Sequence, residues 1–488
     1  MYGESEANDF HLLKYGLLYD FYQIFSPIKI YGLPLAQCLT GPFLNHIQRF
    51  VDQNRKDNIL LSKYRNLKDF QTMEDINRRL ISLDDIAKST IMKKNTSILM
   101  SEDYFDFAAD HLKEYQVTMY GFETKRGVHP LPLKFRQFNF NKEIKKVSIK
   151  AIQSKRNLIK LVNRKVNRQS INRYFLTETF KNWFINASIG VSKWVYMIDQ
   201  LILRTRPTVI IDPVEASIFG TILGLFSKRY QIPFVNMPIM LIGDRSLIPS
   251  RSDYFFVWGI NQKNWLLDRG IEDKQITVSG NIKYYYELRQ LAAENKMFKK
   301  KFIVPGNHLL AGFSTQPCLA ANQELESWIY SIPDSIPISI LIKKHKSDEY
   351  QYPLLNKKKN VAFLTKEDSL YEFLHQIDCL MTISSNTAIE AALLSKPLLV
   401  LQPPNPYHYH FNHNQINTHL AKAQAGEIIK NKNQLIQALN RLAIDEEYKV
   451  LLTAKTKKFL AYTNYTVDQS PFIVKKKLEE IIGSHTQG

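Results

Sequence analysis

The stretch CLMTISSNTAIEAALLSKPLLVLQ, residues Cys379 to Gln402, decides the fold of the second half of this 488-residue chain. An apolar run from Cys379 to Ile383 gives way to a small polar cluster, Ser384 to Thr387. An alanine-rich segment, Ala388 to Leu394, then precedes Lys396-Pro397 and a second apolar run. This order predicts a buried strand, a tight turn, a helix and another buried strand, which together form one β-α-β unit.

The polar cluster in this unit has two interpretations. A helix N-terminus carries unpaired N–H groups and a partial positive charge, so it can hold a phosphate. Glu390, one turn into the helix, can then accept hydrogen bonds from a ribose. Alternatively, Ser385 or Asn386 is an ordinary N-cap of a buried α/β unit. The segment alone does not separate these interpretations, because short motifs often arise by chance.

The composition of the whole chain is that of a globular protein with sizeable cores. It is 44% hydrophobic and 12% aromatic, its mean hydropathy is −0.26, and its length predicts two domains. No apolar run reaches about 18 residues, so no transmembrane helix is predicted. The acidic, polar start MYGESEANDF does not look like a signal peptide. Cys38, Cys318 and Cys379 lack metal-ligand spacing, which favours a reducing cytoplasm.

The net charge of +19 is concentrated in one segment. Lys125 to Arg173 contains fifteen Lys or Arg residues and a single acid, Glu143. Its apolar residues recur every three or four positions, which predicts an amphipathic helix with a cationic face. A solvated surface helix is one interpretation, but the scarcity of acids favours a helix on an anionic membrane. The candidate membrane- or anionic-acceptor-binding residues are Lys145, Lys146, Lys155, Arg156, Arg164 and Lys165. Nucleic acid is disfavoured, because regularly spaced aromatic residues are missing here.

Strand and helix patterns alternate from Thr96 onward, pause in the basic segment and resume after it. A second alternating series begins at His308. Such alternation predicts parallel sheets covered by helices, hence an α/β protein with two Rossmann-like domains. We expect an N-terminal domain at 1–300 with a basic helical insertion at 124–190. A C-terminal domain at 301–465 and a C-terminal helix at 466–488 follow. Asn58 to Leu61 has the pattern of a short strand.

Polar loops follow four predicted strands of the C-terminal domain, and ligands of open α/β sheets bind at such carboxyl ends. Hydroxyls, lysines and a histidine on one edge indicate a site for nucleotide phosphates. The candidate donor-binding residues are Ser314, Thr315, Lys343, His345, Ser384, Ser385, Asn386, Thr387 and Glu390. The last of these loops contains His408, His410, His413 and His419. Their spacing matches no familiar metal site, so no metal is predicted.

Four segments resemble GT-B glycosyltransferases that build bacterial capsule and other surface polysaccharides. They are AGFSTQP (Ala311 to Pro317), ILIKKHKSDEY (Ile340 to Tyr350), DSLYEFLHQIDCLMTISSNTAIEAALLSKPLLVL (Asp368 to Leu401) and VWGINQKNWLLDRGIEDKQITVSGN (Val257 to Asn281). The resemblance spans roughly residues 200 to 445. It implies two Rossmann-like domains that face a cleft, a nucleotide-sugar on the C-terminal domain, and no metal or other cofactor.

The resemblance also implies roles for individual residues. Lys343 and His345 would lie at the donor phosphates, Ser384 and Ser385 would bind phosphate at the helix N-terminus, and Glu390 would bind the ribose. The chain has Lys346 where related enzymes often have proline.

An inverting transfer needs a base that deprotonates the acceptor hydroxyl, whereas a retaining transfer does not. The candidates follow predicted strands of the N-terminal domain: Asp212, Glu215, Asp103 and the neighbouring Glu102. Asp212 can equally be the cap of the helix that begins near Glu215.

The expected function is transfer of a sugar from a nucleotide-sugar to a surface-glycan or lipid-linked acceptor. We expect the enzyme to act at the inner face of the cytoplasmic membrane, where the basic segment would bind anionic lipid. Two alternatives share the fold: transfer of a glycerol- or ribitol-phosphate group from a CDP-alcohol, and epimerisation of a UDP-sugar. A catalytically silent membrane- or nucleic-acid-binding protein is a further alternative.

Overall fold

The computed structural model describes residues 7–67, 69–91, 97–122, 132–147, 155–166, 172–240, 247–294, 305–306, 308–365, 368–404, 419–465 and 467–486. The chain divides into two compact units. The N-terminal unit comprises residues 4–257, 263–286 and 467–488, and the C-terminal unit comprises residues 258–262 and 287–466 together with the first three residues. The main division therefore falls between Tyr286 and Glu287, slightly before the predicted boundary.

A parallel sheet of seven strands forms the centre of the N-terminal unit. A small antiparallel pair, β1 (Lys29–Ile30) and β2 (Leu33–Pro34), precedes it in the chain. The strands of the large sheet are β3 (Ser97–Ser101), β4 (Gln116–Gly121), β5 (Arg136–Asn139), β6 (Val209–Asp212), β7 (Phe234–Asn236), β8 (Tyr254–Val257) and β9 (Ile276–Val278). Their order is β5-β4-β3-β6-β7-β8-β9. All six pairings are parallel, as the prediction of a doubly covered sheet requires.

The C-terminal unit is built on a second parallel sheet. Its strands are β10 (Leu309–Ser314), β11 (Ile338–Lys343), β12 (Val361–Phe363), β13 (Cys379–Thr382), β14 (Leu398–Leu401) and β15 (Glu427–Ile429). They lie in the order β12-β11-β10-β13-β14-β15. The stretch that opened the sequence analysis supplies β13 and β14, so the predicted strand, turn, helix and strand are confirmed.

The helices precede, separate and follow these strands along the chain. Up to residue 294 they are α1 (Asp9–Phe25), α2 (Leu35–Cys38), α3 (Thr40–His46), α4 (Gln48–Asn54), α5 (Asn58–Ser62), α6 (Met73–Ile81), α7 (Phe105–His111), α8 (Phe140–Glu143), α9 (Lys155–Val166), α10 (Glu178–Thr205), α11 (Ile218–Tyr230), α12 (Ile260–Leu267) and α13 (Ile282–Glu294). After it they are α14 (Leu319–Tyr330), α15 (Leu370–Gln376), α16 (Thr387–Leu393), α17 (His419–Lys422), α18 (Lys432–Ile444), α19 (Glu446–Thr463) and α20 (Ser470–Thr486). The last helix, α20, packs Val474, Leu478 and Ile481 into the core of the N-terminal unit.

The basic segment is only partly the helical insertion that its charge pattern predicted. Strand β5 lies inside it and pairs with β4 as the edge of the seven-stranded sheet. Helix α9 is amphipathic, as expected, and packs against α10 and α1. Helix α10 already begins at Glu178. The segment therefore contributes to the sheet and to the core.

The N-terminal helices, whose apolar and aromatic residues recur at helix-like spacing from Phe10 to Phe50, join the unit through aromatic rings. Phe21 of α1 stacks on Phe43 of α3 with ring centroids 4.1 Å apart. Phe25 lies 4.7 Å from Phe184 of α10. The predicted strand at Asn58 to Leu61 is wrong, since these residues belong to α5. The carboxylate of Asp57 accepts the N–H groups of the next turn and thereby starts a helix there.

A buried ion pair joins the segment after α6 to the loop before β8. Arg251 Nε lies 2.7 Å from Asp84 Oδ2, and a second guanidinium nitrogen lies 3.0 Å from Oδ1. The two side chains are 1% and 5% exposed. A buried guanidinium needs such two-pronged pairing to replace its lost hydration.

Removing the carboxylate of this pair should destabilise the N-terminal unit strongly. We expect Asp84→Ala to lower the free energy of unfolding by about 3–5 kcal/mol, because it leaves a buried charge unpaired. The neighbouring Asp85 is the matched control: its pair with Lys29 has the same 2.7 Å length, but its side chain is 79% exposed. Asp85→Ala should cost less than about 1 kcal/mol. Denaturant unfolding followed by tryptophan fluorescence compares the two, and equal losses would contradict this account.

Candidate nucleotide-phosphate site

Each sheet has one point at which the strand order reverses, and ligands of such sheets bind outside the strand ends there. In the C-terminal unit this point lies between β10 and β13. The hydroxyls of Ser314 and Thr382 meet across it, with their oxygens 2.9 Å apart. Both residues are buried, at 5% and 0% exposure. We call the carboxyl ends of β10, β11 and β13 the phosphate edge.

A glycine in β10 sets how closely the next layer approaches this edge. A Cβ at Gly312 would stand 2.6 Å from Ile377 and 2.7 Å from Phe373. Phe373 belongs to α15, and Ile377 directly follows that helix. Only glycine therefore allows α15 to pack directly onto the strand that ends in Ser314.

The loop after β13 is held by a hydroxyl of Ser385, and not by a cap from Asn386. Ser385 Oγ donates to Thr387 Oγ1 (2.8 Å) and accepts the N–H of Thr387 (3.2 Å). Asn386 occupies the N-cap position but makes no capping hydrogen bond with its side chain. Ser384 is 4% exposed, whereas Ser385 and Asn386 are half-buried. Because α16 has only seven residues, any phosphate contact there would depend mainly on the N–H and hydroxyl groups of the loop.

Glu390, the predicted ribose ligand, is only 5% exposed on α16. It lies close to Tyr371 of α15. Burial and then the charge of Glu287 raise the pKa of Tyr371 well above its usual value, and the charge of Glu390 adds to this effect. The structure thus places Glu390 near an aromatic hydroxyl.

The lysines after β11 differ in what they contact. Lys343 Nζ donates to the carbonyl of Thr365 (3.0 Å) and to that of Asp368. Lys344 Nζ donates to the carbonyl of Tyr350 at 2.6 Å. Lys346 is exposed. Two of the three ammonium groups are therefore directed at the backbone of neighbouring loops, a use that sequence spacing does not reveal.

His345 is held by two hydrogen bonds at the end of β11. Its backbone N–H donates to Thr315 Oγ1 (3.0 Å), and its ring Nδ1 accepts the N–H of Ser347 (3.1 Å). Burial, and then the charge of Lys346, lower the pKa of this half-buried imidazole. A neutral ring that accepts at Nδ1 carries its proton on Nε2. His345 is thus set up as a hydrogen-bond donor.

A residue that sequence reasoning missed organises this corner. Asp348 accepts hydrogen bonds from Thr315, Tyr352 and Asn322. The only sequence signal is its position three residues after His345. Nearby, a cavity of about 510 Å³ is lined by Pro317, Cys318, Leu319, Ser347, Asp348, Glu349, Tyr350, Gln351 and Pro353.

The predicted histidine loop is outside the described residues. His408, His410 and His413 belong to that part of the chain, and so does the side chain of His419. Among the described residues, no group of three or more His, Cys, Asp or Glu side chains is placed to hold a metal ion.

The carboxylate of Asp212 lies at the reversal point of the N-terminal sheet, between β3 and β6. Both of its oxygens are engaged: Oδ2 accepts from the Tyr120 hydroxyl (2.7 Å) and Oδ1 from the N–H of Val214 (2.8 Å). Burial raises the pKa of Asp212 to about 6, and the charge of Asp103 adds to this effect. The contacts are those of a buried residue that fixes the turn after β6.

Glu215 is equally enclosed, at 1% exposure. It accepts hydrogen bonds from Ser252 (2.6 Å), from Ser250 (3.3 Å) and from the N–H of Arg251. Burial raises the pKa of Glu215 to about 7. These bonds hold the loop that carries the Arg251–Asp84 ion pair, so the carboxylate has a structural task.

Asp103 is the most accessible of the four candidate bases. It is half-buried after β3, where its carboxylate accepts a hydrogen bond from Ser101 Oγ at 2.8 Å. The adjacent Glu102 is 8% exposed and lies against Gly121, where a Cβ would stand 2.0 Å from its carboxyl carbon. The N-terminal edge therefore carries carboxylates at the ends of β3 and β6.

The cationic candidates of the basic segment lie on two short elements. Lys145 and Lys146 are exposed on the 3-10 turn Ile144–Lys146, where Lys146 pairs with Glu143. On α9, Arg164 is exposed and Lys165 is half-buried, while the side chains of Lys155 and Arg156 are outside the described residues. Within the described part of the chain, no helix has the length and apolar character needed to cross a membrane.

Comparison with known proteins gives one family match. Residues 318–470 match the family model described as CDP-Glycerol:Poly(glycerophosphate) glycerophosphotransferase. The match covers about a third of the chain and lies in its C-terminal part. It agrees with the resemblance to surface-polymer enzymes. No curated protein sequence matches the chain.

The solved structures to which the chain is similar are distant in sequence. UDP-GlcNAc 2-epimerase from Neisseria meningitidis, bound to UDP-GlcNAc, is 12% identical with a TM-score of 0.49, and the alignment covers 79% of this chain and 99% of that one. The wall teichoic acid polymerase TagF, in a CDPG soak, is 10% identical with a TM-score of 0.44, covering 91% of this chain and 99% of that one. At these TM-scores the structural matches do not assign the fold. The strand order and parallel register of the two sheets do so, and they confirm the predicted fold class.

Proposed function

We propose that this protein transfers a glycerol- or ribitol-phosphate group from a CDP-alcohol to a hydroxyl of a surface polymer. The observation that carries the proposal is the match of residues 318–470 to the glycerophosphotransferase model. The matched region includes His345 and the loop from Ser384 to Thr387, both at the phosphate edge. The alternative predicted beside the glycosyltransferase is thereby favoured over it.

The reaction is a phosphoryl transfer in which the acceptor oxygen forms a bond to the phosphorus that carries the alcohol. The bond between that phosphorus and the bridging oxygen breaks, CMP leaves with the electron pair, and the acceptor proton passes to a base. Positioned donors stabilise the charge that develops on the leaving phosphate. At the phosphate edge these would be the Nε2–H of His345, the hydroxyls and N–H groups of Ser384 to Thr387, and the exposed Lys346.

A nucleotide-sugar glycosyltransferase is the second candidate. The GT-B resemblance favours it, because the four resembling segments occur in the same order along the chain, which is more specific than the block Ser384 to Ala391 alone. The same edge would then hold the phosphates of a nucleotide-sugar, and Glu390 the ribose. A UDP-sugar epimerase would require several acidic and histidine side chains around the sugar, and no such set has been assigned.

Nucleotide binding separates these candidates. We expect CDP-glycerol to raise the melting temperature more than UDP-, GDP- or CMP-sugars. A ligand present at 100 times its Kd adds about 2.7 kcal/mol to the free energy of unfolding, which a thermal-shift measurement detects. Glu390→Ala should remove the stabilisation if Glu390 binds the ribose, while Glu447→Ala, an exposed glutamate on α19, should keep it. Stabilisation by UDP- or GDP-sugars alone would favour the glycosyltransferase. No response to any nucleotide would contradict both.

We assign the acceptor base to Asp103, because it is half-buried at the carboxyl end of β3, whereas Asp212 and Glu215 are only 3% and 1% exposed. Asp103→Asn should lower kcat for CMP release from CDP-glycerol by roughly 100-fold or more, the range of general-base catalysis. Donor affinity should be unchanged. Glu215→Gln is the matched control and should keep kcat, since an amide can still accept from Arg251 N–H and donate to Ser252. If Asp103→Asn is fully active with a glycerol-phosphate oligomer as acceptor, Asp103 is not the base.

We further propose that the basic segment docks the protein on anionic lipid at the inner face of the cytoplasmic membrane. Lys145, Lys146 and Arg164 are exposed, and the two lysines are adjacent on one turn. Juxtaposed basic side chains near an anionic surface each contribute about 1 kcal/mol.

Charge removal tests this docking. Lys145→Gln with Lys146→Gln should weaken binding to phosphatidylglycerol-containing vesicles by up to about 30-fold, and added salt should do the same. Lys457→Gln with Lys458→Gln removes two exposed, adjacent lysines from α19 and should have little effect. Vesicle sedimentation measures both. An identical loss in the two double variants would mean that net charge alone, without a defined surface, drives binding.

A further inference from the structure

Four hydrogen-bond donors converge on one buried carboxylate beside the phosphate edge. Asp348 is 8% exposed. Its Oδ2 accepts from the hydroxyls of Thr315 (2.6 Å) and Tyr352 (2.8 Å). Its Oδ1 accepts from Asn322 Nδ2 (3.0 Å) and from the N–H of Tyr350 (3.1 Å). Asp348 therefore ties β10, α14 and the loop after β11 together.

The direction of these bonds reaches His345. Thr315 has a single hydroxyl proton and donates it to Asp348, so its oxygen is left to accept the backbone N–H of His345 at 3.0 Å. The N–H of Asp348 in turn donates to the carbonyl of His345 at 2.9 Å. The backbone N–H and carbonyl of His345 are thus both hydrogen-bonded, one to the Thr315 hydroxyl that Asp348 orients and the other to the N–H of Asp348 itself.

We propose that Asp348 is the positioning residue of the phosphate edge: through Thr315 it holds the His345 loop so that the imidazole presents Nε2–H to the donor phosphate. Within this loop the N–H of Ser347 donates to His345 Nδ1 at 3.1 Å. That bond survives only while the loop keeps its shape. The hydrogen bond from His345 to a donor phosphate rests on the proposed function, whereas the fixed tautomer of the His345 ring does not.

The site requires a carboxylate, and asparagine cannot replace it. Both oxygens of Asp348 accept from two donors each. An asparagine has one acceptor oxygen and one NH2 group. Whichever way its amide turns, the NH2 group faces two donors, either the hydroxyls of Thr315 and Tyr352 or the N–H groups of Asn322 and Tyr350. The hydroxyls can avoid this clash only if both turn their protons away from the amide, which breaks the bond that now fixes the direction of the Thr315 proton.

Side-chain NMR of 15N-histidine-labelled protein tests the positioning directly, with His345→Gln identifying the signal. In the wild type we expect the Nε2–H tautomer at neutral pH. Asp348→Asn and Thr315→Val should both give averaged tautomer shifts and roughly tenfold weaker binding of CDP-glycerol, as loss of one hydrogen-bonded contact implies. Thr315→Ser keeps the hydroxyl and should restore both properties.

Tyr352→Phe is the matched control, because it removes a donor from the same carboxylate oxygen but leaves the link from Thr315 to His345. Its His345 signal should match the wild type even if its melting temperature falls. Unchanged tautomers in both Asp348→Asn and Thr315→Val would overturn the proposal, as would an equal change in Tyr352→Phe. If the wild type binds no nucleotide but the tautomer still responds to Thr315→Val, the proposed function fails and the positioning role stands.

Discussion

The reversal of strand order in each parallel sheet is the constraint on which the candidate sites depend. Parallel strands leave their carboxyl ends at one edge, and the connections from β10 and β13 depart in opposite directions at the reversal. Ser314 and Thr382 end these two strands and are hydrogen-bonded to each other there. The same geometry in the N-terminal sheet places Asp103 after β3 and Asp212 at the end of β6. Backbone pairing thus selects which polar residues can act together.

Much of this architecture could be predicted from the sequence, because buried parallel strands are short apolar runs bounded by turns. The strand, turn, helix and strand from Cys379 to Leu401 were predicted nearly residue by residue. Strand β5 was missed because its sequence RQFN lies within a run of basic residues, and an edge strand needs no apolar run. From Phe10 to Phe50 the sequence shows only a helix-like spacing of apolar and aromatic residues, because Phe21, Phe43 and Phe184 stabilise these helices through contacts between residues far apart in the chain.

The candidate site was predicted less completely, since sequence shows which polar groups follow a strand but not what each contacts. Lys343 and Lys344 have the spacing of phosphate ligands, yet both donate to backbone carbonyls. Asp212 and Glu215 lie at or just after a strand end, where a catalytic base is expected, yet both of their carboxylate oxygens accept hydrogen bonds from neighbouring groups. A carboxylate enclosed by donors of its own loop stabilises that loop, and a more exposed one can reach a substrate hydroxyl. That distinction depends on tertiary contacts alone.

The same reasoning explains why the most consequential carboxylate was not on the list of candidates. Asp348 follows His345 by three residues in a lysine-rich strand end, where it and the adjacent Glu349 look like surface counter-ions. Burial among Thr315, Tyr352 and Asn322 changes its role, because a buried acceptor must be matched by donors and therefore fixes their orientation. Once Thr315 has given its proton to Asp348, its oxygen can only accept, and the N–H of His345 is the group that it meets. The orientation of the imidazole is thus determined by a carboxylate two hydrogen bonds away.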